Sequence, residues 1–360
     1  MTAAPLAAYA PDFEVVLDGR PIPAELRAAV TGIRFDEALE GADRVEVQLA
    51  DPGLALIDHP LLELRLPLRL ALGYRPGTLT EVFTGTVTGV EPALPAGGVP
   101  TITLSAHDHT QRLMLATKQR GFAWYHTDTV IAAIVAAENG LLLDTDVGAV
   151  AAGGLGLFDE RPRYQHKQSD YEFLRQLATQ QGMDLWVDGD RLNFKLLRPG
   201  APAADLELRW GASLLDFAPR LTSIGQIAAV NVRLWVEALK TQLTVMLGWD
   251  GQRLEVRVAV GIPDEPDEPV GAVLELPDYP LETAVDAISW AVGELRRRLN
   301  AQLTGQGSAI GDPRLRAGRV IALGGVGRRY SGATYRLTSV AHSLDGGGYR
   351  TGFQVRREVV

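Results

Sequence analysis

The densest group of local structure signals lies between Arg163 and Leu197, and it constrains the fold more than any other stretch. Ser169 and Glu172 have the spacing of a capping box, in which each side chain satisfies an unpaired backbone N–H at a helix start. Apolar residues then recur at helical spacing, which predicts one buried helix face: Tyr171, Phe173, Leu174, Leu177 and Ala178. Gly182 is placed to end this helix in a left-handed conformation.

A hairpin is predicted directly after this helix. Residues Asp184 to Val187 alternate between apolar and polar side chains, and Arg191 to Leu196 supplies a return strand. Asp188-Gly189 between them is a strong two-residue turn signal. With the strand-like residues from Arg163 onward, the stretch predicts a small α+β unit. It contains no pairing of a nucleophile with a base, so we interpret it as scaffold.

Length and composition indicate an ordinary globular protein. The chain has 360 residues, 46% hydrophobic and 22% charged, which favours roughly two or three domains with cores of their own. The net charge of −9 argues against binding a nucleic-acid backbone, which requires a basic surface. Two short basic clusters, Arg296–Arg298 and Arg328-Arg329, are better explained as a solvated helix face or a subunit contact.

The absence of cysteine excludes disulfides, thiolate metal sites and cysteine nucleophiles. The N-terminal sequence has neither the basic segment nor the apolar core of a signal peptide. The longest apolar run, Val130 to Ala137, is far shorter than the roughly 18 residues that a membrane span needs. We therefore expect synthesis and folding in the cytoplasm, with no membrane insertion.

Strand-like alternation dominates both ends of the chain. From Phe13 to about His109, short alternating runs separated by Gly, Pro and Asp predict an antiparallel β domain. Residues 113–200 combine helical and strand-like patterns. Thr127 is a candidate cap at the start of a helix, and Gly140 is a candidate residue at its end. An Ala/Gly-rich segment, 148–156, is interpreted as a mobile loop.

Alternation returns after the linker-like residues 199–202. Asp250-Gly251 predicts a hairpin turn, and the acidic, proline-rich residues 263–269 predict an exposed loop. The longest helical pattern runs over about Leu281 to Leu303, with Gly305 and Gly307 ending it. The fold class is therefore α+β and mainly β.

Metal-like clusters are few. His107 and His109 alternate on a strand, so their side chains share a face, but no third ligand follows at a recognisable spacing. A pair of polar residues at a strand end is the better interpretation. The carboxylates within 264–268 lack the spacing of a calcium-binding loop, which favours a solvated acidic loop.

Catalytic patterns are equally scarce. Close carboxylate pairs of the kind used in glycoside hydrolysis occur only at Asp159-Glu160 and at Asp188/Asp190, where turn chemistry explains them. His126 and His342 have no evident partner. The glycine-rich residues 324–327 lie between strands, so neither a phosphate-binding loop nor a dinucleotide motif fits. We predict no catalytic residue, no cofactor and no metal, and we predict that the protein is not an enzyme.

The chain resembles the phage late control D family, the hub proteins of contractile tails, which are similar to the hub region of the type VI secretion spike protein VgrG. The residues that carry the resemblance are Tyr164-Gln165, Gln168–Ala178, Gly182, Trp186–Gly189, Leu192 and Phe194 in the middle, Gly311–Pro313, Gly318, Leu323–Gly327, Tyr330–Gly332, Tyr335 and Val340–His342 near the C-terminus, and, more weakly, Phe83–Gly85 and Ala106–Asp108. The resemblance covers about residues 12–357.

This resemblance implies two tube-like antiparallel β-barrels in one polypeptide. The implied division is a flexible N-terminal arm (1–11), a first barrel (12–112), an α+β insert (113–200) and a second barrel (201–360) that contains the helix near 281–303. Three copies would then place six barrels in a ring, so that a six-fold tube meets a three-fold spike.

The partners implied are two further copies of the chain, an inner tube protein, a separate spike protein and a LysM-type adaptor of the baseplate. The separate spike follows from the chain's end at Val360, shortly after the last predicted strands. The protein would be incorporated into a phage tail or an injection particle, and the sequence does not distinguish the two. Interface residues are not predicted.

Two other functions remain open. One is a tail-associated cell-wall hydrolase, whose candidate residues are Glu160, Asp188 and Asp190. The other is a carbohydrate- or receptor-binding module, which would use exposed aromatic side chains. The six tryptophans mostly fall in patterned positions that predict burial, which disfavours this module: Trp124, Trp186, Trp210, Trp235, Trp249 and Trp290.

Overall fold

Alternating apolar and polar residues form strands over most of the described chain, as the sequence predicts. The computed structural model describes residues 10–123, 126–145, 162–180, 183–195, 204–222, 229–236, 240–249, 254–260, 273–276, 284–331 and 333–357. In β4, for example, Val45, Val47 and Leu49 are buried while the residues between them are half-buried or exposed. The described residues are mainly antiparallel β with few helices.

The N-terminal part consists of seven strands and one short helix. They are β1 (Ala10–Leu17), β2 (Arg20–Pro21), α1 (Ala24–Ala29), β3 (Val30–Ala38), β4 (Arg44–Ala50), β5 (Pro67–Arg75), β6 (Thr80–Ala93) and β7 (Thr101–His107). The strand prediction from Phe13 to His109 is thereby confirmed. Of the predicted arm, residues 1–9 lie outside the described residues, whereas Ala10 and Pro11 already pair with Arg75 and Tyr74 in the sheet.

The middle part combines three helices with five strands. They are α2 (Thr110–Met114), β8 (Thr117–Phe122), α3 (Asp128–Glu138), β9 (Leu142–Asp144), β10 (Arg163–Ser169), α4 (Asp170–Gln180), β11 (Asp184–Asp188) and β12 (Arg191–Lys195). The predicted α+β texture is confirmed. Residues 146–161, 181–182 and 196–203 lie outside the described residues, together with the predicted loop 148–156, the linker 199–202, Gly182 and Asp159-Glu160.

Both predicted helix caps of this part are confirmed. The Ser169 backbone N–H donates to Glu172 Oε2 at 2.8 Å, and the Glu172 N–H donates to Ser169 Oγ at 3.2 Å. The Val130 N–H donates to Thr127 Oγ1 at 3.3 Å. The hairpin turn is shifted by one residue from its prediction, because Asp188 is the last residue of β11 and the two-residue loop is Gly189-Asp190. Gly189 takes the positive φ of +60° that this loop needs.

The C-terminal part contains ten strands and one long helix. They are β13 (Leu206–Arg209), β14 (Leu214–Leu221), β15 (Ala229–Val236), β16 (Thr241–Trp249), β17 (Leu254–Val260), β18 (Val273–Leu276), α5 (Ala284–Asn300), β19 (Leu303–Ile310), β20 (Val320–Gly324), β21 (Thr334–Asp345) and β22 (Gly348–Arg356). Residues 250–251 and 263–269, with their predicted turn and loop, lie outside the described residues.

The end of the long helix differs from its prediction. Residue Leu303 begins β19, so Gly305 and Gly307 lie inside a strand and do not end the helix. A Cβ at Gly305 would lie 2.7 Å from the ring of Phe217, and one at Gly307 would lie 2.9 Å from the ring of Phe353. The glycines therefore make room for aromatic rings that pack on the strand.

One sheet of thirteen strands connects the two ends of the chain. Its order is β14-β19-β22-β21-β3-β4-β7-β6-β5-β1-β2, with β20 on β21 and β13 on β20. The N-terminal and C-terminal strands meet where β3 pairs with β21, over seven residue pairs from Ser339↔Ala38 to Asp345↔Gly32. We call this pairing the seam. Among the described residues the order ends at β14 and β2, and no closed barrel is found.

Three smaller sheets complete the fold: β10-β8, β11-β12-β9 and β17-β16-β15-β18. The hydrophobic residues form three clusters, one in each part of the chain, centred on Phe35 and Leu70, on Phe173 and Phe194, and on Tyr335 and Leu337. Among the described residues, no helix combines the length and apolar composition that a membrane crossing requires.

Candidate functional site

Charged and polar side chains are buried together where the seam meets the middle part of the chain. We call this place the junction, and it consists of Glu37 on β3, Asp43 before β4, Asp108 after β7, Arg316 between β19 and β20, and His342 on β21. The two aspartates and Glu37 are 8–9% exposed and His342 is fully buried. Burial of ionisable groups is costly unless they are paired or neutral, so such a group of residues calls for an explanation.

An ion pair spans the junction. Arg316 Nε lies 3.0 Å from Glu37 Oε1 and 2.9 Å from Oε2, and the Ala317 backbone N–H donates to Oε2 at 3.0 Å. The Arg316 guanidinium also lies 5.8 Å from the ring centre of Phe35. The ion pair thereby attaches the loop between β19 and β20 to β3 of the seam, although its two partners are 279 residues apart in sequence.

The two aspartates join the N-terminal strands to each other. The Asp43 backbone N–H donates to Asp108 Oδ1 at 3.1 Å, and the Asp108 N–H donates to the Asp43 carbonyl at 3.1 Å. Asp108 Oδ2 accepts a hydrogen bond from the Thr110 hydroxyl at 2.5 Å. The Asp43 carboxyl accepts one hydrogen bond, from the Ala38 N–H at 3.2 Å. Fewer hydrogen bonds therefore stabilise the charged form of the Asp43 carboxyl than that of the Asp108 carboxyl.

His342 is paired with Phe35 in the seam, and the two rings stack, with ring centres 5.7 Å apart and planes 6° from parallel. Its Nε2 lies 3.0 Å from the Leu315 carbonyl, which makes Nε2 the protonated nitrogen. Its Nδ1 lies 2.9 Å from the Tyr349 hydroxyl and 3.0 Å from the Thr351 hydroxyl. All the hydrogen-bonding capacity of a neutral imidazole is used, so His342 is a structural residue.

The middle part of the chain attaches at the same place. The Gly41 backbone N–H donates to the Tyr171 hydroxyl at 2.8 Å, and His109 Nδ1 lies 3.1 Å from the Gly189 carbonyl. Arg316 also approaches Asp188 of the hairpin, at 3.8 Å. The junction is thus where all three parts of the chain meet.

Burial is the largest cause of the pKa shifts of the junction carboxyls and of His342. Burial raises the pKa of Asp43 to about 9, and the nearby Glu37 and Asp108 carboxylates act in the same direction. Burial raises the pKa of Asp108 to about 6, against the hydrogen bond from Thr110. Burial also raises the pKa of Glu37, and the Arg316 guanidinium opposes that shift. The pKa of His342 is lowered by burial to about 4, so this side chain is neutral at pH 7.

These shifts predict how stability depends on pH. Between the ordinary pKa of 3.8 and the raised pKa of about 9, the folded chain holds a proton on Asp43 that the unfolded chain has released. The free energy of unfolding should therefore fall as pH rises, by up to about 1.4 kcal/mol per pH unit for this one group. Urea unfolding at a series of pH values from 7 to about 8.5 measures that slope.

The variant Asp43→Asn isolates the effect, because it keeps the shape and removes the titrating group. We expect its unfolding free energy to be flatter than that of the native chain over this range. Asp345→Asn is a matched control, since Asp345 is exposed at the β21–β22 turn. Equal slopes in the native chain and the Asp43→Asn variant would contradict the protonation of Asp43.

The structure describes His107, His109, Asp188 and Asp190 among the residues singled out in the sequence, and it does not bring them together in one site, whereas Asp159, Glu160 and the carboxylates of 264–268 lie outside the described residues. His107 Nδ1 lies 2.7 Å from the Thr88 hydroxyl, whereas His109 points to the Gly189 carbonyl, so the two histidines do not converge. Within the described part of the chain, no three His, Asp or Glu side chains are placed to hold a metal ion. Asp188 is 70% exposed and contacts Arg316, and Asp190 is exposed in the hairpin turn.

The prediction of buried tryptophans is wrong for Trp210, which is 54% exposed. Trp186 is half-buried on β11, with the Lys195 ammonium 5.6 Å from its ring centre. Trp124 lies outside the described residues, as do the side chains of Trp235, Trp249 and Trp290.

Sequence reasoning missed the junction, although its signals were present. Two of the motifs that carry the family resemblance, Ala106–Asp108 and Val340–His342, contain Asp108 and His342, and Arg316 lies between the matching residues Gly311–Pro313 and Gly318. Trp186–Gly189, which also carries the resemblance, supplies Asp188, the hairpin residue that Arg316 approaches. The signal in the sequence was that polar residues occur inside motifs whose other residues have structural roles. The arrangement fixes three parts of the chain relative to one another. Glu37 also lines an open groove of about 480 Å³ over the large sheet.

Comparison with known families places the chain. The family described as the Alg8 N-terminal domain matches residues 13–346. The chain belongs to this family. This match does not test the resemblance to the late control D family, which stays a prediction. No curated protein matches the sequence.

This member of the Alg8 N-terminal domain family shares its fold with tail proteins. A 43 kDa tail protein of prophage MuSo2 from Shewanella oneidensis is similar, with a TM-score of 0.66, 15% identity, and coverage of 97% of this chain and 98% of that one. A tail protein from Neisseria meningitidis has a TM-score of 0.62 and 12% identity, with coverage of 97% of each chain.

A third similar structure belongs to a secretion system. It is an Escherichia coli protein that is a component of the type VI secretion system and resembles T4 bacteriophage tail proteins. The TM-score is 0.55 and the identity 12%, and the match covers 96% of this chain and 76% of that one. At these identities the likeness establishes a shared fold.

Proposed function

We propose that the protein is a structural hub of a contractile phage tail or a related injection particle, and that it is not an enzyme. The observation that carries the proposal is the seam, through which one sheet continues from the N-terminal to the C-terminal strands. A sheet built from both ends of the chain suits a wall that surrounds an axis. The fold shared with tail proteins over nearly the whole length supports the same role.

In this proposal the protein is a late control D-type hub with two tube-like barrels, at 12–112 and 201–360, and an insert at 113–200. Three copies form a ring that joins a six-fold inner tube to a three-fold spike, with a LysM-type adaptor among the neighbouring baseplate proteins. The junction holds the barrels and the insert of each copy in one orientation, and the symmetry of the ring depends on that orientation.

The mass of the purified chain tests this proposal. Light scattering coupled to size exclusion, with the tube and spike proteins of the same particle present, should give a mass that contains three copies. Electron microscopy of the same sample should show a ring of six similar lobes. A chain that stays monomeric in the presence of both partners would contradict the hub, and loss of peptidoglycan cleavage in an Asp188→Ala variant would favour the hydrolase instead.

A further inference from the structure

A groove lined by arginines crosses the C-terminal end of the large sheet. It has a volume of about 680 Å³ and lies over β14, β19 and β22, with the C-terminal end of α5 as one wall. That volume is in the range of about 300–1,000 Å³ that is typical of ligand-binding clefts. Its charged lining residues are Arg220, Arg297 and Arg356, and the others are apolar or neutral polar residues. We call it the arginine groove.

The register of the sheet places two of the arginines in one row. Arg220 pairs with Thr304, and Thr304 pairs with Arg356, so the three residues lie side by side across β14, β19 and β22. Residues opposite one another in neighbouring strands point to the same face, so both guanidiniums reach into the groove over Thr304. The row continues to Arg336 on β21, which is buried and donates to the Gly318 carbonyl at 2.7 Å.

The positive charge of the groove is only partly compensated. Arg297 lies 2.5 Å from Glu294, but Glu294 is shared with Arg298. Arg356 approaches Asp184 at 3.9 Å. Within the described residues, Arg220 is exposed and makes no ion pair. The carbonyl end of α5 contributes about half a negative charge, which three guanidiniums outweigh.

The other groove over this sheet is a useful contrast. It has a volume of about 480 Å³, and its charged lining residues are Arg34, Asp36, Glu37 and Asp216. Arg34 forms an ion pair with Asp36 at 2.7 Å and Glu37 pairs with Arg316, so the lining of this groove has an excess of negative charge. An excess of positive charge therefore distinguishes the arginine groove from this one, on a chain whose net charge is −9.

The edge of the sheet adds a second means of recognition. β14 is the terminal strand in the sheet order, and among the described residues it pairs with β19 and, at its first residue Leu214, forms one isolated bridge with Trp210. A terminal strand presents backbone N–H and C=O groups that an extended peptide can pair with. Guanidinium groups bind carboxylates through charge-assisted hydrogen bonds that are often bidentate.

We propose that the arginine groove binds an extended acidic segment of a partner protein, which crosses the β14 edge into the groove and places its carboxylates on Arg220, Arg297 and Arg356. A nucleic acid is a poorer match for the groove, because the strongly negative chain would repel a long polyanion. The proposal concerns a single copy of the chain, so it goes beyond the proposed hub and does not depend on ring formation.

Fluorescence anisotropy tests the proposal with the full chain. The probe is a fluorescein-labelled peptide of alternating aspartate and valine, and a lysine–valine peptide of the same length is the charge control. We expect the acidic peptide to bind at low ionic strength, more weakly as salt is added, and the basic peptide not to bind. Absence of binding by the acidic peptide, or equal binding of both, would overturn the proposal.

Substitutions localise the binding. Arg220→Glu should weaken binding of the acidic peptide by about tenfold, and Arg220→Gln by less, since each loses a charge-assisted contact on an exposed edge. Arg350→Glu is the matched control, because Arg350 is exposed on β22, six residues or about 20 Å from Arg356. Equal loss in the Arg220→Glu and Arg350→Glu variants would refute the groove as the site.

Two further outcomes would refute the choice of partner. One is displacement of the peptide by a single-stranded oligonucleotide at lower concentration than by unlabelled acidic peptide. The other is self-association of the chain that Arg220→Glu abolishes, which would identify a second copy as the occupant.

Discussion

Replacement of Arg316 by leucine is expected to lower the free energy of unfolding by about 3–5 kcal/mol, because it leaves the Glu37 carboxyl buried without its cation. Glu37 is 9% exposed, and the guanidinium supplies hydrogen bonds to both of its oxygens. The Ala317 N–H is the other donor to this carboxylate. Urea unfolding at pH 7, followed by circular dichroism, measures the change.

Arg314→Leu is the matched control, because Arg314 lies two residues away in the same loop and pairs with Asp312 at the surface. Exposed ion pairs contribute about 0–1 kcal/mol, so this variant should remain close to the native chain. A double variant, Glu37→Gln with Arg316→Leu, should recover part of the loss since no uncompensated charge remains buried. Similar stabilities of the Arg316→Leu and Arg314→Leu variants would show that the junction does not hold the fold together.

Local structure was predictable because its causes act over a few residues. Ser169 and Glu172 satisfy each other's backbone donors within one helical turn, and the Thr127 hydroxyl accepts from the Val130 N–H at the start of α3. Strand alternation likewise needs only the neighbouring residues, and β1 to β7 follow it. Element types in these parts of the chain could therefore be assigned from the sequence alone.

Contacts between distant parts of the chain were not predictable in the same way. The seam joins residues about three hundred positions apart, and nothing near β3 specifies β21 as its partner. Gly305 and Gly307 show the same limit. Glycine after a helix normally indicates its end, but these glycines follow a helix that has already stopped at Asn300, and they make room for the rings of Phe217 and Phe353.

The roles of the junction residues could not be predicted from the motifs that contain them. His107 and His109 attracted attention as a metal-like pair, yet they bond to the Thr88 hydroxyl and the Gly189 carbonyl, and Asp108 between them bonds to Thr110 and the backbone of Asp43. His342 had no evident partner in sequence because its partners, Tyr349 and Leu315, lie on the next strand and on a separate loop. Buried polar groups acquire their role from residues that tertiary structure brings together.

A methyl group at Gly311 is expected to be among the most disruptive small changes in the protein. A Cβ there would lie 2.1–2.5 Å from three ring carbons of Tyr349, a distance that no native packing tolerates. Tyr349 is 4% exposed, and its hydroxyl lies 2.9 Å from His342 Nδ1. The ring therefore has no free space to move into, and Gly311→Ala should cost about 3 kcal/mol or more through overpacking.

Gly346→Ala is the matched control, because Gly346 lies at the exposed β21–β22 turn, where an added methyl group would meet no atom within 4 Å and the backbone has no positive φ. Its unfolding midpoint in urea should change little. In a Tyr349→Ala background the Gly311→Ala substitution should cost much less than in the native chain, since the ring that it strikes is gone. If instead Gly311→Ala costs the same in both backgrounds, the close approach of Gly311 to Tyr349 is not the reason for glycine at that position.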